Sequence, residues 1–245
     1  MEPAEPQEPE TEFGVWVREW MNKAHFTGTT LPDPEQRIAD VVELWGRPIP
    51  GSWQRSLDRP RLLDPAGYGR SRKNEPRGEY VVEHEVLGTP LTGRGITCLG
   101  GELVDGVNAV PLTRDEGGGR TNNVEADMLL LARTTSGAAY NLFLVEAKVA
   151  SDNAWYATVE NLRQLRLFLE ADEMRRLFHV RQPELDLPES LPVTGVVLAP
   201  EDFYTARGQK RESVVPAQRL LERMRADFDL DVQLAVWAPP EMKPL

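Results

Sequence analysis

Apolar positions along this 245-residue chain recur with a period near 3.6 in some stretches and run almost unbroken in others, and the changes between the two mark its elements. Residues 13–24 and 33–46 read as two amphipathic helices, with Asp33 before Pro34 as a start signal and Gly46 as a stop. Residues 47–76 are rich in Pro, Gly and Arg and read as loop or linker. A short helix fits Gly78–Leu87, ended by Gly88 and Pro90, and strand-like pieces follow at 95–99 and 102–112. The stretch 115–123 is a Gly-rich loop without the Gly-Lys-Ser/Thr of a phosphate-cradling loop. Two apolar strands come next, Glu125–Ala132 and Asn141–Val149, separated by the turn-like Arg133–Ala138. A helix over about 153–171 is capped by Asp152 or Asn153 and buries a stripe of Trp155, Val159, Leu162, Leu165 and Leu169. A helical piece at Glu173–Phe178, a strand at Pro192–Ala199, a helix at Pro216–Phe228 and a strand at Asp231–Trp237 complete the chain, and no internal repeat is visible. The order is α-β-β-β-α-β with a further helix and strand, which predicts an α/β fold with a mixed sheet flanked by helices.

Three charged residues interrupt the two central strands: Asp127 on the first, Glu146 and Lys148 on the second. Charge inside such runs is costly to bury, and a strand built only for packing carries Val, Leu or Ile there. Side chains alternate along a strand, so Glu146 and Lys148 share a face, as do Glu125 and Asp127. A hairpin centred on Ser136–Gly137 places Asp127 opposite Glu146 and Glu125 opposite Lys148. Directly opposed residues lie roughly 5 Å apart at Cβ, close enough for two carboxylates to share one metal ion, whereas a one-residue slip sends one set to the other face. Hard oxygen ligands suit Mg²⁺ or Mn²⁺. The competing reading makes Glu146 and Lys148 an outward-facing charge pair at a strand edge.

The Asp on one strand followed by Glu146-Ala147-Lys148 on the next resembles the motif of the PD-(D/E)XK nuclease superfamily, with Ala126 where the name-giving Pro stands. In that family a helix follows, often carrying a Gln near the site. Gln164 with Phe168 looks like the Gln-x-x-x-Tyr element of RecB-like exonucleases, Phe168 standing in place of the Tyr. The resemblance spans about residues 75–240 in order of elements. It implies a restriction-endonuclease-like mixed β-sheet with an α-β-β-β-α-β core. Asp127 and Glu146 would hold Mg²⁺ (or Mn²⁺) with the Ala147 carbonyl as a further ligand. Lys148 would orient or deprotonate the attacking water or stabilise transition-state charge, assisted by Gln164. The family also places a Glu at the start of the preceding helix, and Glu79 is favoured for it over Glu83, with Glu85 and Glu102 as alternatives. Asn161, Gln164 and Phe168 share a helix side that could line the cleft.

Composition narrows this picture. Cys98 is the sole cysteine, so no internal disulfide can form and a reducing cytoplasm is expected; His25, His84 and His179 are scattered and make no zinc pattern. The longest apolar run is too short to span a membrane, and no signal peptide opens the chain. The net charge of −11 argues against indiscriminate nucleic-acid binding. The acidity is uneven: residues 1–50 hold ten acidic and four basic side chains, whereas 55–77 hold seven basic and three acidic. That Arg-rich segment is a candidate phosphate-contacting stretch, or else a solvated loop paired with the protein's own acids. The division expected is a disordered acidic tail (1–12), a helical N-terminal extension (13–50), an Arg-rich linker (51–76) and a nuclease-like domain (77–245). The tryptophans (16, 20, 45, 53, 155 and 237) are core or interface candidates, and Trp16 and Trp20, one turn apart, could form a sticky face for a second copy or a partner protein. The function expected is a metal-dependent nuclease, with DNA favoured over RNA as substrate and with restriction, phage defence, repair and mobile-element processing all open as its setting. The alternative is a catalytically silent nuclease-like subunit that binds protein or nucleic acid in a larger assembly.

Overall fold

The computed structural model describes residues 11–51, 53, 79–87, 95–113, 124–137, 139–149 and 153–245. The Arg-rich segment and the Gly-rich loop lie outside the described residues, as does the acidic tail up to residue 10. Among the described residues the main helices are α1 (Glu12–Ala24), α2 (Pro34–Gly46), α3 (Tyr80–Leu87), α4 (Ala154–Leu169) and α5 (Val214–Phe228). Seven strands accompany them: β1 (Thr97–Cys98), β2 (Gly101–Pro111), β3 (Glu125–Thr134), β4 (Tyr140–Ala147), β5 (Val193–Ala199), β6 (Asp231–Ala238) and β7 (Glu241–Pro244).

The strands pair in sequence order and the sheet closes into a barrel. β2, β3 and β4 form an antiparallel meander. β5 and β6 then add in parallel, each reached through helical segments that cover the sheet. The open restriction-endonuclease-like sheet expected from the sequence is therefore corrected. β7 turns back antiparallel on β6, and its Glu241 and Met242 pair in parallel with Thr97 and Cys98 of β1, which in turn pairs with β2. The Thr97 N–H donates to Pro240 O at 3.1 Å and the Leu99 N–H to Met242 O at 3.0 Å, so this short seam satisfies edge groups that an open sheet leaves unpaired.

Closure separates two apolar layers. Met128, Leu130, Phe143, Val145, Val196, Leu198 and Trp237 point to the interior, where Val82 and Val86 of α3 join them. The alternate residues Leu129, Leu131, Leu142, Leu144 and Val197 face outward beneath α1, α2, α4 and α5. The periodic stripe of α1 belongs to this outer layer: Trp16 is 4% exposed and Trp20 0%, so of the two places open to them, core or interface, they occupy the core. Phe168, expected at a cleft, is also fully buried in this layer. Both are buried for one reason, the docking of α1 and α2 against α4. The Trp155 indole N–H donates to Lys23 O at 2.9 Å and Arg166 Nε to Trp45 O at 3.3 Å.

One glycine sets how closely α4 lies on the sheet. A Cβ on Gly195 of β5 would fall 2.6 Å from Asn161 Oδ1 and 3.2 Å from both Val232 methyls. Asn161 is held in place because its Nδ2 donates to Leu144 O at 3.0 Å. Gly195→Ala is expected to lower stability by about 1–3 kcal/mol through overpacking. Urea unfolding measures this, and an unchanged midpoint would contradict the close approach of α4 to β5.

Candidate active site

The turn after β3 closes where the sequence places it, with the Gly137 N–H donating to Thr134 O at 2.8 Å and Gly137 at φ 72°. The β3–β4 ladder runs from Arg133↔Tyr140 to Met128↔Val145. One step further along that register Asp127 stands opposite Glu146. The backbone ladder stops there and side chains take over: the Ala147 N–H donates to Asp127 Oδ2 at 2.7 Å. Beyond it the Lys148 N–H bonds to Leu198 O of β5 at 2.8 Å. The strands thus part at the three charged residues. Glu146 shares the outward face of β4 with Leu142 and Leu144, so it points beneath α4 rather than into the barrel or out from an edge.

Helix α4 supplies the other wall. It starts on Asn153, whose side chain accepts from the Tyr156 N–H at 3.0 Å, and it runs unbroken past the site. The Gln164 amide donates to Glu146 Oε2 at 2.6 Å and to Glu125 O at 2.9 Å, while its Oε1 is buried without a partner. The Lys148 ammonium lies 2.5 Å from Glu146 Oε1, 3.2 Å from Glu160 Oε2 and 3.5 Å from Glu79 Oε1. The Tyr156 ring centroid is 5.8 Å from the same nitrogen. Glu79 sits on the turn before α3. Glu83, on α3 itself, is buried and accepts from Asn108 Nδ2 at 3.1 Å. Asp127, Glu146, Lys148, Gln164 and Glu79 are thus brought together, with Glu83 beside them. Glu85 instead accepts from the Trp237 indole at 2.6 Å, and Glu102 lies on β2 opposite Arg133. Of Ala147, the atom tied to the cluster is the main-chain N–H.

Sequence reasoning missed Glu160. The available signal was its position one helical turn before Gln164, with Tyr156 one turn earlier still, so that the three fall on one face.

The electrostatics follow from crowding carboxylates in a place with little water. Burial pushes the Asp127 carboxyl up to about 8; Lys148 and the Ala147 N–H pull the other way, while Glu83 and Glu79 add to the rise. Burial also raises Glu146 well above the usual carboxylate range, reinforced by the charges of Asp127 and Glu160. Burial favours a neutral Lys148 as well, but Glu146 and Glu160 outweigh it and hold the ammonium above the usual lysine range. Burial alone would raise Glu160, yet Lys148 and Arg163 outweigh it and keep its carboxyl below the ordinary value.

Divalent-cation chemistry fits this donor set. Mg²⁺ commonly takes only one or two carboxylates, with water and substrate phosphate completing its shell. Asp127 and Glu146 offer two carboxylates, and among the described residues the lysine that pulls both down, Lys148, does not outweigh their burial. Among the described residues no group of three or more His, Cys, Asp or Glu side chains is placed to hold a metal by itself. No helix among them is long and apolar enough to cross a membrane. The chain matches no family model, no curated protein and no solved structure.

Proposed function

We propose that this protein is a metal-dependent nuclease that hydrolyses phosphodiester bonds, DNA in preference to RNA. The observation that carries the reading is the convergence of Asp127 and Glu146 with Lys148 and Gln164 where β3 and β4 part. Their likeness to the PD-(D/E)XK motif supports it at the level of side chains, on a barrel rather than an open sheet. Asp127 and Glu146 hold the cation. Mg²⁺ or Mn²⁺ bound there supplies Lewis-acid polarisation of the phosphate and acidifies the attacking water. The water oxygen forms the new P–O bond as the ester P–O bond breaks, and the proton lost by the water is balanced by the one taken up by the leaving oxygen. Lys148 lies on Glu146 Oε1, where its role is to position or activate the attacking water or to stabilise the charge developing on the phosphate. Gln164 fixes the Glu146 carboxylate through its amide N–H.

A second reading has an observation of its own. Both Glu146 oxygens are engaged internally, one by Lys148 and one by Gln164, which suits a silent subunit whose charged cluster serves only structure. Incubation with end-labelled DNA and RNA, with Mg²⁺ or with EDTA, separates the two. Magnesium-dependent cutting, stronger on DNA, is expected. Intact strands beside a protein that takes up no Mg²⁺ would favour the silent subunit.

A further inference from the structure

Glu146 cannot give the same oxygen fully to an ammonium and to a cation. Its Oε1 is on Lys148 at 2.5 Å and its Oε2 on Gln164 at 2.6 Å. A divalent ion drawn to this carboxylate competes for those oxygens and repels the Lys148 ammonium. Lysine is a point charge on a flexible four-carbon stem, so it stays in the site only if another acceptor holds it. Among the described residues, two further carboxylates lie within ion-pair distance of it. Glu79 is 3.5 Å away, 31% exposed, and lies on the turn before α3. Glu160 is 3.2 Å away, 16% exposed, and projects from the middle of the sixteen-residue α4. The other Glu160 oxygen is 3.4 Å from Arg163 Nη2, so the carboxylate is pinned from both sides.

We propose that Glu160 is a positioning residue for the proposed hydrolysis: its carboxylate keeps Lys148 in the site once Glu146 turns to the cation. The inference rests on the cation-assisted reading of this site. Glu160 touches no reacting atom and acts through Lys148.

The test follows the lysine ammonium itself. A buried, hydrogen-bonded ammonium exchanges its protons slowly enough to give a ¹H–¹⁵N signal near neutral pH, and the Lys148 signal is assigned by its loss in Lys148→Met. The wild-type signal is expected to persist when Mg²⁺ is added. In Glu160→Leu it is expected to persist without Mg²⁺, held by Glu146, and to lose most of its intensity with Mg²⁺. Glu160→Gln, which keeps the volume and hence the fold if the Leu variant fails, should lose at least half of it under Mg²⁺. In cleavage assays the same variants should lower kcat at least about tenfold with KM unchanged, as expected when an interaction specific to the transition state is lost. Calorimetry on the same samples keeps the outcomes apart. Mg²⁺ uptake with a fully retained signal in both variants overturns the role of Glu160 while leaving the cation site standing. No Mg²⁺ uptake by the wild type overturns both.

Discussion

Lys148→Met is expected to abolish the proposed phosphodiester cleavage, by at least about a thousand-fold, and to cost the fold about 3–5 kcal/mol at pH 8. Both effects arise from one cause. The ammonium is 6% exposed and faces Glu146, Glu160 and Glu79. Without it those carboxylates and Asp127 lose the ammonium they share, and removing one partner of a buried charge group leaves the others uncompensated. Protonation can discharge them at low pH, so the loss in urea-derived stability should shrink between pH 8 and pH 5. Adding Glu146→Gln to Lys148→Met should recover much of the stability and none of the cleavage, since a carboxylate is removed but the charge stabiliser is still missing. A Lys148→Met protein as stable and as active as the parent would contradict the cluster.

The second large effect is an inverted dependence of stability on pH. In the cation-free protein Asp127 titrates at about 8 and Glu146 well above its ordinary value, so between roughly pH 4 and pH 8 the folded state binds more protons than the unfolded chain. Stability therefore falls as pH rises through that window. Glu160 has the opposite sign but acts below its ordinary value, and Lys148 stays charged throughout, so neither cancels the trend. Thermal unfolding in EDTA should show Tm rising from pH 8 to pH 5. If Asp127 and Glu146 hold Mg²⁺ as proposed, excess Mg²⁺ should raise Tm most at pH 8, since a cation held by the ionised carboxylates stabilises the folded state. Glu146→Gln should flatten the cation-free dependence of Tm on pH between 5 and 8, and abolish both the Mg²⁺ effect and the proposed cleavage. A Tm that climbs with pH in EDTA would contradict the electrostatics of the site.

The hairpin was legible in the chain because two independent signals agree: a turn at Ser136–Gly137, and charged residues spaced on either side of it within apolar strands. Helix α4 was legible from its Asn153 cap and apolar stripe. The barrel was not. Its closing strand β7 has four residues, follows two prolines and buries only Met242, while β1 has two residues, so neither carries a period that can be read. Their pairing is a tertiary event that depends on the ends of β2 and β6 meeting. Trp16 and Trp20 stay open between core and interface in the sequence for a related reason. An apolar stripe on a terminal helix looks the same whether it meets the chain's own core or another protein, and only the docking of α1 on α4 decides. Glu160 escaped notice because an acidic residue on a helix is ordinarily solvated; here burial of its neighbours Asn161 and Arg163 draws it under the sheet edge.

Everything proposed for this protein requires that Asp127 and Glu146 take one cation between them. A crystal soaked with Mn²⁺ and measured for anomalous scattering tests this directly. The expected result is a peak about 2.1 Å from an oxygen of each carboxylate, lost in Asp127→Asn. Crystals that show no peak between β3 and β4, or one that survives Asp127→Asn, would contradict it.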